Sequence, residues 1–288
     1  MTIKVKDAGT FKEAEEVHIK DGGTWKRTKK VHVKDGGVWK EAHRSVWSYT
    51  VSSNTNKLDL DELAGIDKFY DVIITINSGV YVYSDDPTVP ALKTGTGYGG
   101  NLTIINNGYI YGGGGAGGAG GAGNGSGSGT VNNGGAGGTG GSALSLETNI
   151  TLTNNGSILG GGGGGAGGGS AFHEHSVGNE DITGGSGGGG GASYGAAGAA
   201  GVAVSDNNTN GNIGQAGGFN TYGTGGAAKA NIHGHATGGA GGNGGAQGQA
   251  GSNGSSGSGG GTSGDKEGSG GTGGAAGTAI VTNGYTYA

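Results

Sequence analysis

Two His-x-His pairs, His173-Glu174-His175 and His233-Gly234-His235, come nearest in type and spacing to metal chemistry. Side chains two apart on an extended strand point to the same side, so each pair presents two imidazoles together. If the pairs met, four rings could complete a tetrahedral Zn²⁺ or an octahedral Fe²⁺ site. Nothing in the sequence makes them meet. The preferred reading is histidines facing solvent or a receptor, with no metal and no cofactor.

Beside them stand the remaining side chains able to recognise a surface. Phe172, Tyr194, Phe219 and Tyr222 are aromatics in segments where an otherwise regular glycine pattern fails, and Asn207 and Asn208 are adaptable polar neighbours. Rings and amides on a rigid scaffold suit a sugar or a protein loop. The candidate receptor-binding set is therefore Phe172, His173, Glu174, His175, Tyr194, Asn207, Asn208, Phe219, Tyr222, His233 and His235.

Catalysis finds little support. Asp59, Asp61 and Glu62 form the one carboxylate cluster that could suggest a glycosidase, and they read as a charged helix start. No Gly-x-Ser-x-Gly lies between a strand and a helix, and no Gly-x-x-x-x-Gly-Lys-Ser/Thr is present. Without cysteine there is no thiol nucleophile and no thiolate metal site. The chain is expected not to be an enzyme.

The elements that must position these residues are two different materials. Of 80 glycines in 288 residues, 7 lie in 1–94 and the other 73 follow. Charge divides at the same place. The first part carries 14 basic and 14 acidic residues; the second carries Lys229 and Lys266 against 7 acids, so nucleic acid is an unsuitable partner there. No apolar run reaches 18 residues, so no spanning helix is expected, and Met1 opens a charged segment, which predicts synthesis in the cytoplasm.

Residues 1–44 repeat with a period of 14. Asp7, Asp21 and Asp35 fall in register, followed four residues later by Phe11, Trp25 and Trp39. Each unit reads as a β-hairpin turning on Asp-Gly or Gly-Gly. The three either pack on one another as a small sheet or form a docking module. Residues 45–111 read as a small β domain, with a short helical turn over Leu58 to Ala64 and strands over Val46 to Ser52 and Tyr70 to Ile76. The phrase Asn101 to Tyr111 returns 48 residues later as Asn149 to Leu159, each copy running into glycine, and Ala279 to Tyr287 is a degenerate third copy. A repeat that twice launches a glycine tract predicts stacked layers.

Residues 112–288 carry a period of three. Ala116, Ala119 and Ala122 interrupt one tract, and glycine holds every third position from Gly239 to Gly260. Three residues per turn is the polyproline II period, which glycine can adopt, while collagen would require the proline that is missing here. The expected fold is mostly β with a layered polyglycine II helix bundle, glycines facing inward so that backbones approach and bond. The register from Gly239 is expected to break once into two antiparallel passes.

Asp71 to Val80, Pro90 to Gly97 and Leu102 to Ala116 together resemble the glycine-rich receptor-recognition proteins of bacteriophage tails. The chain is similar in plan to the distal long-tail-fibre adhesin of T-even phages. That resemblance implies an attachment domain followed by a sandwich of polyglycine II helices whose loops bind the host surface. It implies a virion protein at the distal end of a tail fibre. Its partners would be a trimeric fibre protein, held through residues 1–44 with Phe11, Trp25 and Trp39 as anchors, and a bacterial outer-membrane protein or polysaccharide. The alternative is a structural spacer or cap without recognition.

Overall fold

Val46–Val51, Asp71–Ile76, Leu102–Asn106 and Ile150–Asn154 are rich in β-branched residues, and they pair in that order as a parallel sheet. Burial alternates along the two inner strands, Asp71–Ile76 and Leu102–Asn106, as a pleated strand with one face on the core requires. A second parallel sheet takes Thr55–Asn56, Tyr81–Tyr83, Tyr109–Tyr111 and Ser157–Leu159 in the same order. A third takes Leu58–Asp59, Leu92–Lys93, Leu144–Ser145 and Ile280–Val281. These are the three walls of a β-solenoid of four rungs. Its interior is filled by Val51, Leu58, Leu60, Val72, Ile74, Ile76, Val82, Leu92, Leu102, Ile104, Ile110, Leu144 and Leu146. Each such side chain contributes about 1.5–3 kcal/mol when fully buried. The computed structural model describes residues 4–7, 10–13, 17–125, 129–174, 180–204 and 207–288, and it contains no helix among them.

The helical turn expected over Leu58 to Ala64 is replaced by strand Leu58–Asp59 and a turn. Leu58 and Leu60 both enter the core, and alternate burial is the period of a strand. The boundary expected at residue 111 also differs. The third rung leaves the solenoid after Tyr111 and returns at Leu144; the fourth leaves after Leu159 and returns at Ile280. Strands well beyond 111 thus complete the same core, and the glycine-rich stretches are excursions from two corners.

Those excursions run as ten extended passes: 112–122, 132–142, 160–170, 184–192, 195–202, 211–218, 223–228, 238–246, 249–258 and 268–278. Each passes its backbone bonds to a given neighbour every third residue. Gly115, Gly118 and Gly121 donate to Gly162, Gly165 and Gly168, for instance, and Gly135, Gly138 and Gly141 to Ala119, Ala116 and Gly113. Pass 160–170 bonds to six others, those at 112–122, 132–142, 184–192, 238–246, 249–258 and 268–278. Pass 184–192 also has six: 160–170 itself, the shared neighbours 112–122 and 238–246, and those at 195–202, 211–218 and 223–228. The passes therefore lie in three layers, with these two at the centre.

That packing explains the sequence of each pass. A central pass faces a neighbour in every direction, so Gly163, Gly164 and Gly165 meet the carbonyls of Gly274, Ala116 and Gly242 in turn. A Cβ at any of them would fall on backbone. An outer pass has one free direction in three, and Ala116, Ala119 and Ala122 occupy it, exposed. The register from Gly239 breaks once, at the turn 246–248, into passes that run antiparallel, Ser252 and Ser255 donating to Asn243 and Ala240.

The three N-terminal repeats form separate antiparallel hairpins, Lys4–Asp7 with Thr10–Glu13, His18–Asp21 with Thr24–Arg27, and Lys30–Asp35 with Val38–Arg44. Gly22-Gly23 and Gly36-Gly37 supply the positive φ values of the two-residue turns. The second and third rest their bases on the solenoid: Arg27 pairs with Asp67 and lies over Phe69, and Arg44 pairs with Asp71 at 3.0 Å.

Candidate receptor-recognition end

Alternate passes run away from the solenoid and back, so the turns between them gather at two ends. The near turns, around 193–194, 219–222 and 246–248, face the second wall. Tyr81, Tyr83, Tyr109 and Tyr111 point outward there, Tyr81 and Tyr109 stacked with centroids 4.5 Å apart. Phe219 meets Tyr81 and Tyr83 edge-on at 4.7 and 4.9 Å, and Tyr194 lies 5.9 Å from both Tyr83 and Phe219. Gln247 Nε2 donates to the Phe219 carbonyl at 2.8 Å. Aromatic pairs of this kind contribute about 0.5–1.5 kcal/mol each beyond area burial. Phe219 and Tyr194 therefore join the glycine array to the solenoid. They are placed at the opposite end from the histidines, with Tyr222 beside them in the near turn.

The far turns form one connected end. Ala171–His173 pairs with Asp181–Thr183 and with Lys266 and Glu267, and Asp181–Thr183 pairs in turn with Asn207–Thr209. Gly123–Asn124 joins Thr130–Val131 and Ala203–Val204. Thr183 Oγ1 donates to the Ala236 carbonyl at 3.1 Å, tying in the turn 229–237. A small apolar core of Phe172, Ile182, Ala203 and Val131 holds this end together.

Phe172, expected on the recognition surface, is instead 1% exposed within that core. An aromatic in a glycine tract is equally the filler that a far end without an inner glycine pass requires. His173 is likewise buried, its Nδ1 2.8 Å from Asp265 Oδ1 and its ring stacked on His235 at 5.0 Å. His233 Nδ1 lies 3.0 Å from Asp181 Oδ1. Members of the two His-x-His pairs thus meet, yet no group of three or more metal-capable side chains is assembled among the described residues. His175 lies outside the described residues, as do the side chains of Asn207 and Phe11. Glu174, Asn208, His233 and His235 are exposed at the far end.

The far surface also carries residues outside the candidate receptor-binding set. Val204 and Ile232 are large apolar side chains, Ile232 73% exposed, with Lys229 nearby in the turn. Their signal was visible, since a β-branched residue interrupting glycine must be either buried or displayed. Of the carboxylates weighed for catalysis, Asp59 is paired with Lys93 and Asp61 with Lys68, whose ammonium hydrogen bond holds the Asp61 carboxyl below its usual range.

Residues 46–288 match the family described as phage tail fibre adhesin Gp38. The chain belongs to that family. It is accordingly a tail-fibre adhesin of a bacteriophage, and the hairpin repeats lie outside the matched region. Among solved structures, the adhesin is similar to the gp37-gp38 adhesin tip complex of the bacteriophage S16 long tail fibre. The two share 23% identity over 86% of this chain and 79% of that one, with a TM-score of 0.47. No curated protein sequence matched.

Proposed function

We propose that this adhesin stands at the distal tip of a tail fibre and binds a bacterial surface receptor, an outer-membrane protein or a polysaccharide, through the far end of its glycine array. In this reading 1–44 is the attachment module, the solenoid is the base, and the passes are polyglycine II helices acting as a rigid mast. The period of three in the interpass bonds supports the helix assignment. The observation that carries the recognition reading is segregation. Charged and β-branched side chains, including Glu174, Val204, Lys229, Ile232, His233, His235 and Glu267, collect at the far end, whereas the near end is occupied by packing on the solenoid. A spacer has no need of that asymmetry. Recognition would proceed without catalysis.

Attachment to a trimeric fibre follows from three similar hairpins on one chain, each able to present an equivalent surface to one fibre subunit. Trp25 and Trp39 are 65% and 66% exposed, and exposed Trp anchors are typical interface hot spots. Equivalent ion pairs, Lys26 with Asp21 and Lys40 with Asp35, both at 2.6 Å, keep the two hairpins alike.

The test is competition: purified adhesin is added to host cells before phage. Wild-type protein should block adsorption, and Ile232→Ser with Val204→Ser should lose at least tenfold in blocking potency with an unchanged melting temperature. No blocking by any version would favour the spacer, and full blocking by the double variant would place recognition on residues other than Val204 and Ile232.

A further inference from the structure

The two ends of the solenoid differ. Beyond the fourth rung, the chain's own last residues lie along its first wall, with Ile150 and Leu152 donating to the carbonyls of Thr286 and Ala288 at 3.0 and 2.9 Å. Beyond the first rung nothing equivalent exists among the described residues. Val46–Val51, Thr55–Asn56 and Leu58–Asp59 are each the terminal strand of their sheet, paired on one side alone. The direction of each backbone group follows from the bonds. Val51 accepts from Asn77 on the second rung, so Val51, Tyr49 and Trp47 turn their N–H and C=O groups inward along the stack. Groups alternate along a strand, and Val46, Ser48 and Thr50 therefore turn theirs outward, off the end.

Proteins blunt such an edge with charge, proline or a bulge, because a free edge templates pairing with another chain. The segment Val-Trp-Ser-Tyr-Thr-Val has no charge, no proline and no bulge, and is composed of strong strand formers. Val46 and Tyr49 are exposed on it. It begins two residues after the last hairpin, next to the Trp39 module. We infer that the first rung is an unfinished sheet completed on assembly by a β-strand of the fibre protein, adding backbone pairing to the Trp contacts. The inference rests on the tip position proposed above. An edge of outward N–H and C=O groups accepts a strand and little else, and this edge is continuous with the attachment hairpins.

The test uses virions whose own adhesin gene is deleted, supplied in trans with variant chains, and reads adhesin retained per purified particle. Ser48→Pro and Thr50→Pro each remove an N–H that no described group in the chain accepts, and edge strands tolerate proline. Both should keep the wild-type melting temperature and fall at least tenfold in retention, while Ser48→Thr and Thr50→Val stay near wild type. Amide exchange on free adhesin should show Ser48 and Thr50 unprotected beside a protected Tyr49. Wild-type retention of both proline variants would overturn the inference, as would protection of the Ser48 and Thr50 amides in the free chain. So would a wild-type dimer in native mass measurement that the proline variants abolish, since a second copy would then be the occupant. Trp25→Ala with Trp39→Ala separates the readings: loss there with retention in the proline variants leaves hairpin docking standing without the strand.

Discussion

Asn106 and Asn154 stand one above the other on adjacent rungs, Asn106 Nδ2 donating to Asn154 Oδ1 at 2.8 Å. The next residues repeat the contact, Asn155 Nδ2 donating to Asn107 Oδ1 at 3.0 Å. Asn106 is fully buried where the first wall turns into the second, and it also accepts the Gly108 amide and donates to the Ser157 carbonyl. The corner is thus held by amide side chains that replace the wall hydrogen bonds lost at the bend.

Removing a buried, fully satisfied partner leaves its neighbours unpaired. Asn106→Ala should destabilise the adhesin by about 1–3 kcal/mol, and the exposed Asn154→Ala by less than about 1. Urea unfolding followed by tryptophan fluorescence reads the difference, and equal losses for the two variants would contradict the corner role.

The 48-residue recurrence that contains these asparagines was plain in the sequence, and it is the spacing of two rungs. Its two copies stack in register from Leu102 on Ile150 to Asn106 on Asn154. What the sequence hid was closure. Leu144-Ser145 and Ile280-Val281 are two-residue strands, too short to show a period, and their partners lie 52 and 136 residues away from them, at Leu92-Lys93 and Leu144-Ser145. The outward Ala116, Ala119 and Ala122 were readable because a free direction recurs every third residue. The central passes had their own signal in the runs Gly160 to Gly165 and Gly187 to Gly191, where no triplet survives because no direction is free. Which turns lie at the near end and which at the far end depends on pass direction, which composition does not encode, and so Phe219 and Tyr194 looked equivalent to His233.

Glycines of the array should divide by position. At Gly164 and Gly188 a Cβ would fall on the carbonyls of Ala116 and Gly165. Gly164→Ala or Gly188→Ala should therefore cost more than about 3 kcal/mol or prevent folding, beyond ordinary overpacking. Ala199→Ser, on an exposed position, should be silent. Gly248 is a different case, since it sits in a turn at φ +69° where a Cβ would meet only the Leu159 side chain at an ordinary 3.6 Å, and the backbone conformation alone resists a side chain. Gly248→Ala should cost about 1–2 kcal/mol and Gly248→Asn less. A melting series in which Gly164→Ala and Gly248→Ala behave alike would refute this division.

Phe219 offers a test of which aromatic residues join the array to its base. Phe219→Ala removes two edge-on contacts with Tyr81 and Tyr83 and should cost about 3–5 kcal/mol at most, less for the part of the ring already exposed. Amide exchange should accelerate first in the near turns. Receptor competition by the folded fraction should be unchanged, because the far surface is untouched. A variant of normal stability that fails to block adsorption would return Phe219 to the recognition surface.

Acid should loosen the far end through Asp265. Burial pushes its carboxyl up, but hydrogen bonds from the Thr262 hydroxyl and from the amides of Thr262, Glu174 and Gly261 outweigh it and bring the value down from 3.8 to about 2. A carboxyl depressed in the folded state binds fewer protons there than in the unfolded chain. Its contribution is fully present above 3.8 and is lost as pH falls through about 2. The difference corresponds to roughly 2 kcal/mol. Asp265 closes the turn 259–267 onto Glu174 and His173, so the loss is local to that end. Asp265→Asn should melt below wild type at pH 6, with the gap narrowing between pH 4 and pH 2, and exchange at 259–267 should rise in the variant at neutral pH. The Lys68 hydrogen bond also holds the Asp61 carboxyl below its usual range, so the informative quantity is the gap between the two proteins and not either melting curve alone. A gap that stays constant from pH 6 to pH 2 would show that the Asp265 charge contributes nothing to holding the far end together.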